Sequence, residues 1–174
     1  MPGFKRLLPV LALVSVLAWL GAAPALADDP HGRTLNLPLP APFTQPMCGP
    51  AIGDVTVWVN PDNFRGYVKT FTLQDGTTKL QFNGFAEEFV QGNGKTLSLN
   101  VSGPGAILIA PDGSFEFVGE GHLFYTGPVG TPQQGLAMYT GHTVLTPIDT
   151  VDYGTIVVVS SYTGHKIDIC AQLR

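Results

Sequence analysis

The stretch Gly92-Asn-Gly-Lys-Thr-Leu-Ser-Leu-Asn-Val-Ser-Gly-Pro-Gly105 decides the fold class. Within it, Leu97, Leu99 and Val101 alternate with Thr96, Ser98 and Asn100, the period-two pattern of a strand with one apolar and one polar face. Gly92-Asn93-Gly94 before it has the residue types that accept the backbone of a tight hairpin loop, and Gly103-Pro104-Gly105 after it reads as a second turn. The same pattern continues in both directions. Upstream, Val55, Val57 and Val59 alternate with Thr56 and Trp58; Tyr67, Phe71 and Leu73 alternate with Val68, Thr70 and Thr72; Leu80 and Phe82 alternate with Lys79 and Gln81. Downstream, strand patterns cover about 105–110, 114–125, 135–146 and 153–161, with a short last one near 166–171. Asp75-Gly76 and Pro111-Asp112-Gly113 sit between strand patterns as hairpin loops do, and no stretch sustains a helical repeat. The expectation is an all-β antiparallel meander of about eight or nine strands.

Such a meander leaves two open edges unless it closes or folds over. The only cysteines, Cys48 and Cys170, bracket the domain, and in an oxidising compartment such a pair is expected to form a disulfide. With no CxxC spacing, a redox or zinc role for the pair is disfavoured. A bridge between the two ends fits neighbouring first and last strands, so a closed β-barrel is favoured over a β-sandwich.

The N-terminus carries a different message. Lys5 and Arg6 precede an apolar run from Leu7 to Leu20, and Ala25-Leu26-Ala27 offers a small-x-small cleavage site followed by Asp28 and Asp29. Residues 1–27 therefore read as a signal peptide, since the apolar run is shorter than the roughly 20 residues that span a bilayer. Residues 28–47, with prolines at 38, 40, 42 and 46, read as a Pro-rich extended arm, and residues 48–174 as a single disulfide-closed β domain. Cleavage lowers the basic residues from 9 to 7 against 13 acidic ones. The resulting net charge of about −6 argues against a nucleic-acid partner. The mature chain is expected outside the cell, with no membrane span after cleavage.

Chemical signatures are sparse. Gly94-Lys95-Thr96 resembles the end of a phosphate loop, but Phe89 stands where that motif needs glycine. Tyr-Thr-Gly recurs at 125–127, 139–141 and 162–164, and Gly-His at 121–122, 141–142 and 164–165. His122, His142 and His165 are the candidate metal ligands, yet strand parity puts His122 with Glu116 and Glu120 and His142 with Met138 and Val144. His122 with Glu116 or Glu120 is the candidate acid–base pair. Adjacent Glu87 and Glu88 point to opposite faces of a strand; Glu87, on the side of Phe85 and Phe89, is the candidate functional carboxylate and Glu88 the solvated one. Trp58, Phe71, Phe82, Phe115 and Phe117 are the candidate inward-facing, ligand-binding aromatics.

Several short motifs carry a resemblance: the Cys48-Gly49 start, the Asn93-Gly94-Lys95-Thr96 turn, Asn100-Val-Ser-Gly-Pro104, Pro111-Asp-Gly113, and the closing Asp168-Ile-Cys-Ala-Gln-Leu173. The chain is similar to a group of small exported actinobacterial proteins of unknown function with a Cys-Gly start and an Asp-x-Cys-Ala-x-Leu ending. That resemblance spans most of the mature chain and implies secretion and a β fold; it brings no catalytic residues.

With only 13% charged residues and no clustered acid–base groups, a secreted non-catalytic module is the favoured function. It would bind a small apolar ligand or an extracellular partner, or serve a structural role, and no cofactor is called for. The alternative is a small extracellular hydrolase or isomerase using His122 with Glu116 or Glu120.

Overall fold

The computed structural model describes residues 34–35, 39–151 and 154–174 of the chain. The signal-peptide segment lies outside the described residues, as does most of residues 28–38. The chain forms an all-β antiparallel meander: β1 (Thr34–Leu35), β2 (Phe43–Gln45), β3 (Val55–Thr72), β4 (Thr78–Gly92), β5 (Lys95–Ile109), β6 (Phe115–Gly127), β7 (Gly135–Thr150), β8 (Gly154–Tyr162) and β9 (His165–Asp168), followed by helix α1 (Ile169–Leu173). The sheet runs in the order β1-β3-β4-β5-β6-β7-β8, with β2 also on β3 and β9 also on β7. The described part of the Pro-rich arm is thus stitched to β3, where Phe43, Thr44 and Gln45 pair with Val57, Thr56 and Val55.

Turn chemistry sets the registers. Gly92 pairs with Lys95, so Asn93 and Gly94 form a two-residue loop with φ of 51° and 74°, the doubly positive geometry that matches strand twist. At the opposite end, Asp75 Oδ1 accepts from the Thr77 amide and Asp112 Oδ1 from the Ser114 amide, both at 2.9 Å, closing the β3–β4 and β5–β6 hairpins in the same way.

Gly103-Pro104-Gly105 is not a hairpin. It lies inside β5, where Gly103, Pro104 and Gly105 pair with Gly84, Asn83 and Phe82. These glycines belong to a line that crosses the sheet: Gly66 pairs with Gly84, Gly84 with Gly103, and Gly121 with Gly141. The two remaining steps, Gly103 to Gly121 and Gly141 to Gly164, are close backbone approaches; a Cβ on Gly103 would stand 1.8 Å from the Glu120 carbonyl oxygen. A row without side chains lets the sheet bend sharply. Beside it, the rings of Phe82 and Phe117 lie over Gly105 and Gly119, with centroids 5.3 Å apart.

Past this line, β5 and β6 part company. They pair only between Gly105–Ile109 and Phe115–Gly119, so residues 95–101 of β5 and 122–127 of β6 diverge. The opening holds α1, whose Ile169 and Leu173 are almost fully buried with Val55, Val57, Val90, Leu136 and Met138, while Leu97, Leu99, Val101 and Phe124 pack around them. Asp168 caps the helix by accepting from the Ala171 amide at 2.9 Å. The short last strand expected at 166–171 therefore ends at Asp168 and continues as this helix. A second core gathers Tyr125, Ala137, Tyr139, Leu145 and Val159. Because alternate residues of β7 enter different cores, all four of Leu136, Ala137, Met138 and Tyr139 are buried.

The expected barrel closure is corrected. The sheet is a strongly curled half-barrel, with no pairing between β3 and β8 among the described residues. α1 fills the gap between β5 and β6, and the free edge of β8 is partly covered by side chains. Cys48 and Cys170 do form a disulfide, with Cα atoms 5.2 Å apart, and it joins the β2–β3 connection to α1. Among the described residues no helix is long and apolar enough to cross a membrane.

Candidate functional site

On β3 and β4 the half-barrel has a concave face covered by the chain itself and a convex face open to solvent, whereas β7 is buried on both faces. Residues directly opposite in antiparallel strands share a face. The pairs Trp58–Phe89, Arg65–Phe85, Tyr67–Asn83, Lys69–Gln81 and Phe71–Lys79 therefore place five aromatic rings on the convex side of β3 and β4. Trp58 and Phe89 stack at 5.3 Å between centroids, and the Lys69 ammonium lies 5.1 Å above the Phe71 ring. Tyr67 and Phe85 are exposed at 38% and 39%. At about 3.3 Å per residue, the strip from Lys79 to Phe89 is about 33 Å long. Its neighbours on β5 are Ser98, Asn100, Ser102, Pro104, Ala106 and Leu108.

Glu87 lies on this strip. β3 places four residues, 60–63, opposite this single residue, three more than regular pairing allows, because pairing jumps from Val59 to Phe64 while β4 advances only from Glu88 to Ala86. Asn60 and Asn63 each donate an Nδ2 hydrogen bond to Glu87 Oε2 at 2.7 Å, and Ser98 donates to Oε1 at 2.8 Å. These donors, Asn63 foremost, hold the Glu87 carboxyl below the ordinary glutamate range. The Glu87 carboxylate thus pins the bulge and closes one end of the aromatic strip.

The assignment of Glu88 as the solvated member of the pair is corrected. Glu88 lies on the concave side, between Val59 and Leu99, with Val90 two residues along the same face. Its Oε2 is buried without a hydrogen-bond partner, and burial pushes its carboxyl up to about 7. Sequence reading missed it because β4 is apolar on both faces: Phe85 and Phe89 point out while Ala86 and Val90 point in.

The expected inward aromatics divide. Phe82 and Phe117 come together on the concave side, and Phe115 shares the inner face of β6 with Phe117. Trp58 and Phe71 are corrected to the convex side. The histidines also divide. Glu120 pairs across strands with His142, and its Oε1 is 2.6 Å from His142 Nδ1 in a solvent-exposed contact. His122 lies opposite Thr140, and His165 flanks Thr140 from the other side. Two of the three Gly-His steps therefore lie on one side of the glycine line and the third on the other. Among the described residues no three His, Cys, Asp or Glu side chains converge on a metal-sized point. Glu116 stands opposite Leu108, four residues from Glu120 along β6.

Comparisons with family models, curated proteins and solved structures return no match to this chain.

Proposed function

We propose that the mature chain is a secreted, non-catalytic binding module that meets its ligand on the convex face of β3 and β4. The basic-apolar-small N-terminal segment, the disulfide and the resemblance to small exported actinobacterial proteins all support export. The carrying observation is the contrast between the two faces. Ile169, Leu173, Val55 and Val90 occupy the concave side at the helix-filled end with at most 1% exposure, whereas Tyr67 and Phe85 stand in solvent on the convex side. An aromatic strip left exposed on an otherwise well-filled domain marks a binding surface.

The hydrolase or isomerase reading has less support, because Glu120 is engaged by His142 on an open face and His122 faces Thr140 across the strand. The interior carrier of a small apolar ligand is separated from the convex-face reading by native mass spectrometry of protein purified from its own culture medium. The expected species is the bare polypeptide of residues 28–174 less two hydrogens. A co-purifying apolar molecule released on denaturation would sink the convex-face reading and move the site to the Phe82–Phe117 side.

A further inference from the structure

We infer that the convex face of β3 and β4 binds an extended polysaccharide carrying acidic groups. The inference rests on the reading that the ligand sits on that face, and adds its chemistry. Three features of the strip converge on this ligand class.

The first is shape. Phe71 and Tyr67 are four residues apart on β3, and Phe85 and Phe89 are four apart on β4, so successive same-strand rings are separated by about 13 Å. Rings repeated along an axis suit a linear polymer that offers an apolar face at intervals. A compact ligand would touch one ring and leave the others wet. Trp58 is stacked on Phe89 and Phe71 is covered by Lys69, so the rings form broad platforms and not slots between which a planar base would slide.

The second is hydrogen bonding. The side chains of Gln81, Asn83, Ser98, Asn100 and Ser102 share the convex face with the rings by register. Amides and hydroxyls both donate and accept, which matches the hydroxyls of a sugar chain better than the acceptor-only groups of a phosphodiester backbone.

The third is charge. Arg65, Lys69 and Lys79 lie on this face, and they are three of the seven basic residues in a mature chain of net charge about −6. They interleave with Tyr67, Phe71 and Phe85, while the Glu87 carboxylate on the same strip is occupied by Asn60, Asn63 and Ser98. Concentrating scarce cations beside aromatic platforms complements a polymer with carboxylates or phosphates on its sugars.

The test is calorimetric titration of the oxidised mature protein with polygalacturonate, a neutral soluble glucan, and a single-stranded DNA oligonucleotide. Polygalacturonate is expected to bind best, with affinity falling as salt is raised. The exposed-ring variants Tyr67→Ala and Phe85→Ala should each weaken it about tenfold. The triple variant R65Q/K69Q/K79Q should weaken it at least about tenfold and remove most of its salt dependence. Circular dichroism and the intact disulfide serve as folding controls. Equal binding of the neutral glucan, untouched by the triple variant but lost in Tyr67→Ala, would overturn the acidic class and leave the face reading standing. Preference for DNA would overturn the polysaccharide. Polygalacturonate binding that none of these variants alters would overturn both the ligand and the face, and binding of none of the three would overturn the ligand class.

Discussion

The side-chain amide of Gln133 makes both hydrogen bonds that a neighbouring strand would make with Val159: its Nε2 donates to the Val159 carbonyl at 2.9 Å, and the Val159 amide donates to its Oε1 at 2.9 Å. One amide stands in for a peptide group. Two residues back, the Tyr125 hydroxyl donates to the Val157 carbonyl at 3.1 Å. β8 is the last strand of the sheet and carries Ile156-Val-Val-Val159, a stretch that would invite pairing if left bare. The open half-barrel thus covers part of its edge with side chains from β6 and the β6–β7 loop.

Removing that cover has two expected effects. Gln133→Ala leaves the Val159 amide and carbonyl unpaired, at a cost of about 1–3 kcal/mol in urea unfolding. It also exposes strand edge, so light scattering should show concentration-dependent association absent from the parent. A monomeric variant of unchanged stability would show that water replaces the amide at no loss.

The disulfide closes a far longer loop than any hairpin, Cys48 and Cys170 being 122 positions apart. The chain-entropy model assigns about 4–5 kcal/mol to a loop of this size. The helix it anchors has only five residues, too few to persist alone. Replacing both cysteines by alanine should therefore lower stability by several kcal/mol in denaturant titration, and loss should appear first in exchange protection of Ile169–Leu173. Uniform loss of protection across the sheet would mean that α1 and the strands unfold as one unit.

The contrast between these two devices shows what was legible in the chain. The Leu97–Val101 alternation and the Asn93-Gly94 loop are local, and both predicted strand and hairpin correctly. Gly103-Pro104-Gly105 has the composition of a turn, but its role in a cross-strand glycine line depends on Gly84 and Gly121, which only the register brings near. Glu87 and Glu88 could not be sided from local pattern, because Phe85 and Phe89 compete with Ala86 and Val90 for the inner face. Hydrophobicity alone points Trp58 and Phe71 inward, whereas the register puts them outside. The helix escaped because five residues carry too little periodicity to detect.

The glycine line makes a sharp mutational contrast. Gly141 has φ of +97° and a Cβ there would stand 2.4 Å from the Thr163 carbonyl oxygen, whereas Gly113, at φ +86°, has nothing within 4 Å. Gly113→Ala should lose about 1–2 kcal/mol from left-handed backbone strain. Gly141→Ala adds a collision with backbone that cannot move aside, so its loss should exceed that of Gly113→Ala in parallel thermal or urea melts. Equal losses would mean that the β7–β9 crossing relaxes freely and that the bend does not depend on close approach.

Glu88 gives the fold a pH dependence opposite in sign to that of a paired carboxylate. Its ordinary value of 4.5 applies to the unfolded chain, and burial raises it to about 7 in the folded one. Between those values the folded state binds more protons than the unfolded state, so stability falls as pH rises from about 4.5 to about 7 and is flat beyond. A shift of this size corresponds to about 3 kcal/mol. Glu87, whose carboxyl is lowered by Asn63, Asn60 and Ser98, acts in the other direction and at lower pH, where its protonation releases the bulge. Glu88→Gln keeps the shape without the charge: it should match the parent near pH 4.5 and exceed it at pH 8 by up to about 3 kcal/mol. Urea unfolding at the two pH values measures the difference directly. Identical pH profiles for parent and variant would mean that Glu88 ionises at its ordinary value and that water reaches its carboxylate on the concave side of β4.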